Sequence, residues 1–224
     1  MLNFRSLRKF SIQTLPYSYI HGTSTNPLQY MTVSAKFDQI SQKYGDNVAL
    51  ISHHQNKEYK YGELWDEANH IAASLIALGL RPKDRIGIYA PSNVEWYLLQ
   101  LASSLADLIL VNINPAYQSS ELKFVLNKVE CKALVTAVSL KKSNYIDILY
   151  GLAPELHTSQ PGQLNSKELP YLKSVIRLDE EKSKGFFNFE DLYSFYEHDH
   201  ERELEKRRAK QEPDHPANIQ FTSG

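Results

Sequence analysis

The residues best suited to chemistry stand together at Thr222-Ser223-Gly224, directly after Asn218-Ile219-Gln220-Phe221. Ile219 and Phe221 alternate with polar Gln220, the period-two pattern of a half-buried strand. A Thr-Ser-Gly turn at a strand end offers two hydroxyls and a backbone that can come close to a polyphosphate. The chemistry it suits is phosphate binding. The tripeptide also ends strands by chance in many folds, so its meaning rests on the elements that carry it.

Other combinations are weaker. His198-Asp199-His200 has metal-binding residue types, but Glu197 and Glu201 continue a charge run and no two further ligands stand at matching distance. A solvated surface is the favoured reading there, and for His53-His54 in a hairpin loop. Acids ahead of Lys206-Arg207-Arg208 balance that cluster, so it is poorly suited to phosphate. Trp96 and Tyr117 read as packing residues. Cys131 reads as a small buried hydrophobe. As the one cysteine, it excludes an intrachain disulfide and fits a reducing compartment. No Gly-x-Gly-x-x-Gly, Walker A or Gly-x-Ser-x-Gly motif is present, which counts against dinucleotide, P-loop and serine-hydrolase chemistry.

The elements that must position the turn follow from periodicity. Val33, Phe37, Ile40 and Tyr44 mark one helical face, stopped by Gly45. Two strands, Val48–Ile51 and Tyr59–Tyr61, flank the polar loop His53–Lys57. A helix with Leu64, Ala68, Ile71, Ala72, Leu75 and Leu78 inward ends at Gly79. Ile86–Ala90 reads as a central strand, and Ser92 with Glu95 as a capping box opening a helix with Trp96, Leu99, Ala102 and Leu105 inward. Leu108–Val111 and Ala133–Val135 are strands around a helix bearing Leu122, Val125, Leu126 and Val129. A helix over Lys142–Leu152 and a strand over Val175–Leu178 follow. Pro154–Pro170 reads as a polar surface excursion, and residues 197–212 as a solvated helix or a mobile linker. Alternating strands and helices predict an α/β fold, with βαβ units on a mostly parallel sheet.

At 224 residues, 42% hydrophobic and 23% charged, the chain has the composition of a soluble globular protein. A formal charge of −1 gives no reason to expect nucleic acid as a partner, and no apolar run is long enough for a transmembrane segment. Residues 1–37 contain no acid, while Arg5, Arg8 and Lys9 alternate with Leu2, Phe4, Leu7, Phe10 and Ile12. An amphipathic, basic helix over 2–12 followed by Ser- and Thr-rich sequence has the character of a mitochondrial presequence. Residues 1–30 are therefore expected to be a transit peptide and the protein to reside in the mitochondrial matrix.

In this order the motifs resemble those of the adenylate-forming (AMP-binding) superfamily of acyl-CoA synthetases and luciferases. Tyr61-Gly62-Glu63-Leu64 is similar to its first core motif. Arg85-Ile86-Gly87-Ile88 with Asn93-x-Glu95-Trp96 is similar to the next strand–helix unit, and Leu110–Tyr117 with Glu121–Leu126 to the second core motif. Asn218–Gly224 is similar to the strand and opening of the Thr-Ser-Gly-Thr-Thr-Gly-x-Pro-Lys loop. Gln160-Pro161-Gly162, Leu169–Leu172 and this final stretch resemble the mitochondrial medium-chain acyl-CoA synthetase branch most. Asp107 departs from the family, which has glycine there, and the departure puts local packing in question.

The resemblance implies the N-terminal part of a large adenylation domain over residues 31–224, incomplete and stopping before the C-terminal lid domain. It implies a parent activity that joins a medium-chain fatty acid to coenzyme A through an acyl-adenylate. ATP, Mg²⁺ and coenzyme A are the cofactors of the complete enzyme, and this chain alone is expected to bind them poorly. Thr222, Ser223 and Gly224 are the cofactor-binding residues carried over; no catalytic residue and no metal ligand is. The loop lysine, the acidic Mg²⁺ ligand, the adenine- and ribose-contacting residues and the lid lysine are expected to be absent from this chain, leaving it without a complete catalytic set. One alternative is a catalytically inactive truncated protein or binding remnant. Another is a different carboxylate–CoA ligase of the same superfamily.

Overall fold

Arg85–Tyr89, Ile109–Asn112 and Ala133–Thr136 are apolar along most of their length, and Ser174–Arg177 is apolar at its centre. Parallel strands covered on both faces have that character. In the structure, a computed structural model that describes Gly22 and residues 24–222, they form the middle of a six-stranded sheet. The chain divides into two units, Met1–Tyr30 and Met31–Gly224. In the first, the expected helix over 2–12 lies outside the described residues.

The second unit opens with α1 (Val33–Tyr44), the hairpin β1 (Val48–Ser52) and β2 (Lys57–Lys60), and α2 (Tyr61–Ala77). Then come β3 (Arg85–Tyr89), α3 (Val94–Leu105), β4 (Ile109–Asn112), α4 (Ser119–Lys128) and β5 (Ala133–Thr136). A small hairpin, β6 (Ser139–Leu140) and β7 (Ser143–Asn144), leads to α5 (Tyr145–Leu152), β8 (Ser174–Arg177), β9 (Phe186–Asn188), α6 (His198–Lys210) and β10 (Asn218–Gln220). The large sheet runs β10-β4-β3-β5-β8-β9, with every neighbouring pair parallel. The expected parallel α/β fold is observed, and β3 is central in it.

Two apolar layers sandwich the sheet. One packs α1, α2, α3 and Leu204 of α6 against Ile86, Ile88, Leu110 and Val135. The other packs α4 and α5 against Val111, Leu134 and Val175. β3 thus sends its chain to one face and β4 to the other, the arrangement that opens a crevice at the carboxyl edge of a parallel sheet. The sheet's centre has no room for a side chain at Gly87, where a Cβ would stand 2.9 Å from Leu134 Cδ1 and 3.0 Å from Ile113 Cδ1. Gly79, at φ 92°, ends α2 in the left-handed conformation open to glycine.

Four local expectations change. Asn93, not Ser92, caps α3, its Oδ1 accepting from the Trp96 amide at 2.7 Å. Glu95 turns away to accept from Lys57 Nζ at 2.8 Å and Gln55 Nε2 at 2.7 Å. Those charge-assisted bonds from the β1–β2 hairpin, with one from its own amide, hold the carboxylate. The Pro154–Pro170 stretch is no mere surface excursion, because Leu156, Leu164 and Leu169 are buried in the second apolar layer. Residues 142–144 belong to the β6–β7 hairpin and its turn, so α5 begins only at Tyr145, capped by Asn144. Residues 198–210 do form a helix, but it docks through buried Leu204 and Arg207 and is not solvated all round.

Candidate functional site

β10 enters the sheet beside β4 in parallel register, pairing Asn218 with Leu110, Ile219 with Val111 and Gln220 with Asn112. Its carboxyl end therefore lies level with the ends of β4 and β3, at the crevice. Thr222, two residues past the strand, is exposed there. Ser223 and Gly224, predicted with it to contact phosphate, lie outside the described residues.

Beside Thr222 runs a groove of about 390 Å³, walled by Tyr117, Phe124, Val125 and Phe221 and edged by Ser120 and Glu121. Tyr117 sits in the turn after β4, which is built to be rigid. The Tyr117 amide donates to Asn114 O at 3.0 Å and the Ala116 amide to Asn114 Oδ1 at 2.9 Å. From beneath, Tyr145 Oη donates to Pro115 O at 2.5 Å and Tyr89 Oη to Tyr117 O. The two rings pack with centroids 3.9 Å apart and are completely buried. Burial raises the pKa of both phenols, so they remain protonated donors to the turn. Glu121 is committed to the N-terminus of α4, accepting from the Gln118 amide at 3.2 Å and Ser120 Oγ at 2.9 Å. Backbone amides, its own first, and the Ser120 hydroxyl hold its carboxyl below the usual range.

Next to Gln220, the carboxamide of Asn112 is shielded from solvent, and among the described residues neither its Oδ1 nor its Nδ2 has a hydrogen-bond partner. Such a group costs about 1–3 kcal/mol. A donor and an acceptor without partners thus stand near this strand end, with the exposed hydroxyl of Thr222 two residues past β10. Sequence reasoning missed Asn112, which figures there only inside the Leu110–Tyr117 motif.

The remaining candidates are placed elsewhere. His53 and His54 are exposed, as expected. Among the described residues no group of three or more His, Cys, Asp or Glu can hold a metal ion, and His198 Nδ1 simply pairs with Glu201 at 3.0 Å. The Lys206-Arg207-Arg208 run separates in space: Arg208 lies 4.7 Å from the centroid of the Trp65 ring, while Arg207 is buried. Cys131 is fully buried. Burial pushes its thiol up to about 12, against smaller lowering from backbone hydrogen bonds. The buried guanidinium of Arg177, the last residue of β8, is consumed by Asp179, Glu181 and Ser183 of the following loop.

Comparison with known proteins settles the family. Residues 37–224 match the family of AMP-binding enzymes. The chain belongs to that family. It is 39% identical over 214 residues to the mitochondrial medium-chain acyl-CoA ligase ACSF2 of Danio rerio, covering 96% of this chain and 35% of the relative. To the Mus musculus protein of that name it is 40% identical over 210 residues, covering 92% of this chain and 34% of the relative. The chain thus spans about a third of the length of these curated relatives. Among solved structures, the anthranilate CoA ligase AuaEII in complex with anthranoyl-AMP aligns with TM-score 0.64 at 16% identity, over 87% of this chain and 33% of the other. A putative long-chain-fatty-acid CoA ligase from Rhodopseudomonas palustris aligns with TM-score 0.60 at 19% identity, over 88% and 40%. At those identities the likeness establishes the fold, which agrees with the parallel sheet described above.

Proposed function

We propose that this chain is the N-terminal part of the adenylation domain of an ATP-dependent fatty acid–CoA ligase acting on medium-chain acids. The observation that carries the reading is β10, which brings Thr222 to the carboxyl edge of the sheet, beside the groove and near Asn112. In this reaction a carboxylate oxygen of the acid attacks the α-phosphorus of ATP and the bond to pyrophosphate breaks. The thiol sulfur of coenzyme A then attacks the acyl carbon, and AMP leaves. The part assigned to this chain is to grip the departing phosphates through the hydroxyls of Thr222 and Ser223 and the backbone at Gly224, on a loop whose neighbour, the Tyr117 turn, is held rigid. Mg²⁺ would supply positive charge to such a polyphosphate, but the described residues offer no ligand set for it.

Residues 31–224 are read as the adenylation-domain portion and residues 1–30 as a mitochondrial presequence, with the matrix as destination. The acid-free basic N-terminus and the names of the relatives support this. The test is pyrophosphate release by the protein in the length cells produce, with ATP, Mg²⁺, coenzyme A and saturated acids from short to long. Release that peaks with medium-chain acids is expected. A peak with aromatic or long-chain acids would transfer the protein to another ligase of the superfamily, and no acid-dependent release would refute the ligase reading.

A further inference from the structure

Helix α6 contributes nothing to the groove, yet Arg207 on it and Gln211 at its C-cap reach into the layer beneath. Arg207, 8% exposed, donates from Nη1 to Ala106 O at 3.2 Å and from Nη2 to Leu80 O at 3.0 Å. Its Nε donates to Glu203 Oε1 at 3.2 Å, which balances the charge. One turn on, Gln211 Nε2 donates to Ser104 O at 2.7 Å and Leu105 O at 3.1 Å, and its Oε1 accepts from Ser34 Oγ of α1 at 2.5 Å. All four carbonyls belong to the carboxyl ends of α2 and α3 or lie just beyond them. Those ends carry partial negative charge and favour a cation.

We propose that Arg207 and Gln211 are positioning residues that set where β10 enters the sheet, and through β10 where the Thr222 turn stands. By itself β10 has little to hold it. It is three residues long, lies at the sheet edge, and has only half-buried Asn218 and Ile219 and an exposed Gln220. An isolated strand of that size is not stable. Anchoring its N-terminal approach makes pairing with β4 a local event across the short stretch 212–217, and the entropy lost on pairing is correspondingly small. The pairing then begins where the Leu110 amide donates to Ala217 O at 3.1 Å, and Asn218 Nδ2 adds a bond to Gln100 Oε1 of α3 at 3.1 Å. The guanidinium is required because its planar fork serves two carbonyls at once, which an ammonium on a flexible stem does not.

The consequence for phosphate binding rests on the reading under Proposed function; the anchoring does not, so the test contains no nucleotide. Hydrogen exchange is measured on the 224-residue chain and on R207M, R207K and Q211A. The reporters are the Leu110 amide and the amides of β10, and those shared by β3 and β5 are the internal reference. R207M is expected to speed exchange at the reporters by roughly tenfold or more, the loss of one or two hydrogen bonds to a charged donor, with the reference unchanged. R207K is expected to fall between R207M and the parent, and Q211A to act at the same amides. Should R207M not fold, Q211A decides on the same criterion. Equal acceleration at reporters and reference, no acceleration at the reporters, or identical losses in R207M and R207K would overturn the proposal.

Discussion

Lys83 and Asp107 clasp each other twice: the Lys83 amide donates to Asp107 O at 2.7 Å, and Lys83 Nζ lies 2.5 Å from Asp107 Oδ1. Both have left-handed backbones, φ 67° and 59°. A glycine at position 107 would meet a backbone need there, and aspartate tolerates that conformation better than most residues. Asp107→Ala, which keeps the strain and loses the ion pair, is expected to cost about 1–2 kcal/mol. Asp107→Gly, which relieves the strain, is expected to cost less. Urea unfolding of both variants checks the order, and a more damaging glycine would refute the backbone explanation.

Glu95 and Lys57 make a second prediction, in pH. Burial pushes the Glu95 carboxyl up, but hydrogen bonds from Lys57 and Gln55 and the Lys57 charge outweigh it, leaving a value below the ordinary 4.5. For Lys57 burial lowers and Glu95 raises, with a net rise above 10.5. A depressed acid contributes stability that is complete above its ordinary value and lost as pH falls through the folded one. The raised base contributes fully below its own ordinary value and loses it as pH rises through the folded one. Lys57→Met is therefore expected to cost about 1 kcal/mol near neutrality, discounted for the partial exposure of Lys57, and progressively less in acid below the glutamate range. Unfolding midpoints across pH for parent and variant measure this. A cost that grows in acid would contradict it.

Asn112→Leu is expected to raise stability by about 1 kcal/mol, because it removes an unsatisfied carboxamide, while weakening ATP-dependent activity. Thermal unfolding and kinetics, measured together, test that opposition. Loss of both stability and activity would mean that the carboxamide is satisfied in the folded chain.

Cys131 should be inert in the native state. With its thiol raised to about 12 and fully buried, modification waits on opening of the sheet. Reaction with an aromatic disulfide near neutral pH is expected to be on the order of a thousandfold slower than in denaturant. Fast native labelling would contradict the packing around β3 and β5.

The legible parts of the fold were those with period. Leu64 to Leu78, Leu122 to Val129 and the apolar runs of β3, β4 and β5 announce themselves by spacing, and α6 does so only as charge. What stayed hidden depends on partners distant in the chain. Ser92 and Glu95 read as a capping box until Lys57 and Gln55 arrive from the hairpin. Leu156, Leu164 and Leu169 are buried without any regular spacing, and β9 is too short to show a period. Arg207 reads as solvent-facing because no hydropathy pattern reveals a buried guanidinium whose acceptors lie about a hundred residues away. For the site, the Thr-Ser-Gly turn was visible in the sequence. The groove and Asn112 were not, because both arise from placing β10 against β4.

The most direct measurement is the ATP dependence of acyl-adenylate formation, followed as acid-dependent exchange of pyrophosphate into ATP, for the protein and its Thr222→Val variant. If Thr222 opens the phosphate grip, kcat/KM for ATP falls on the order of a hundredfold while the chain remains folded. An unchanged kcat/KM for ATP in a folded variant would contradict the account.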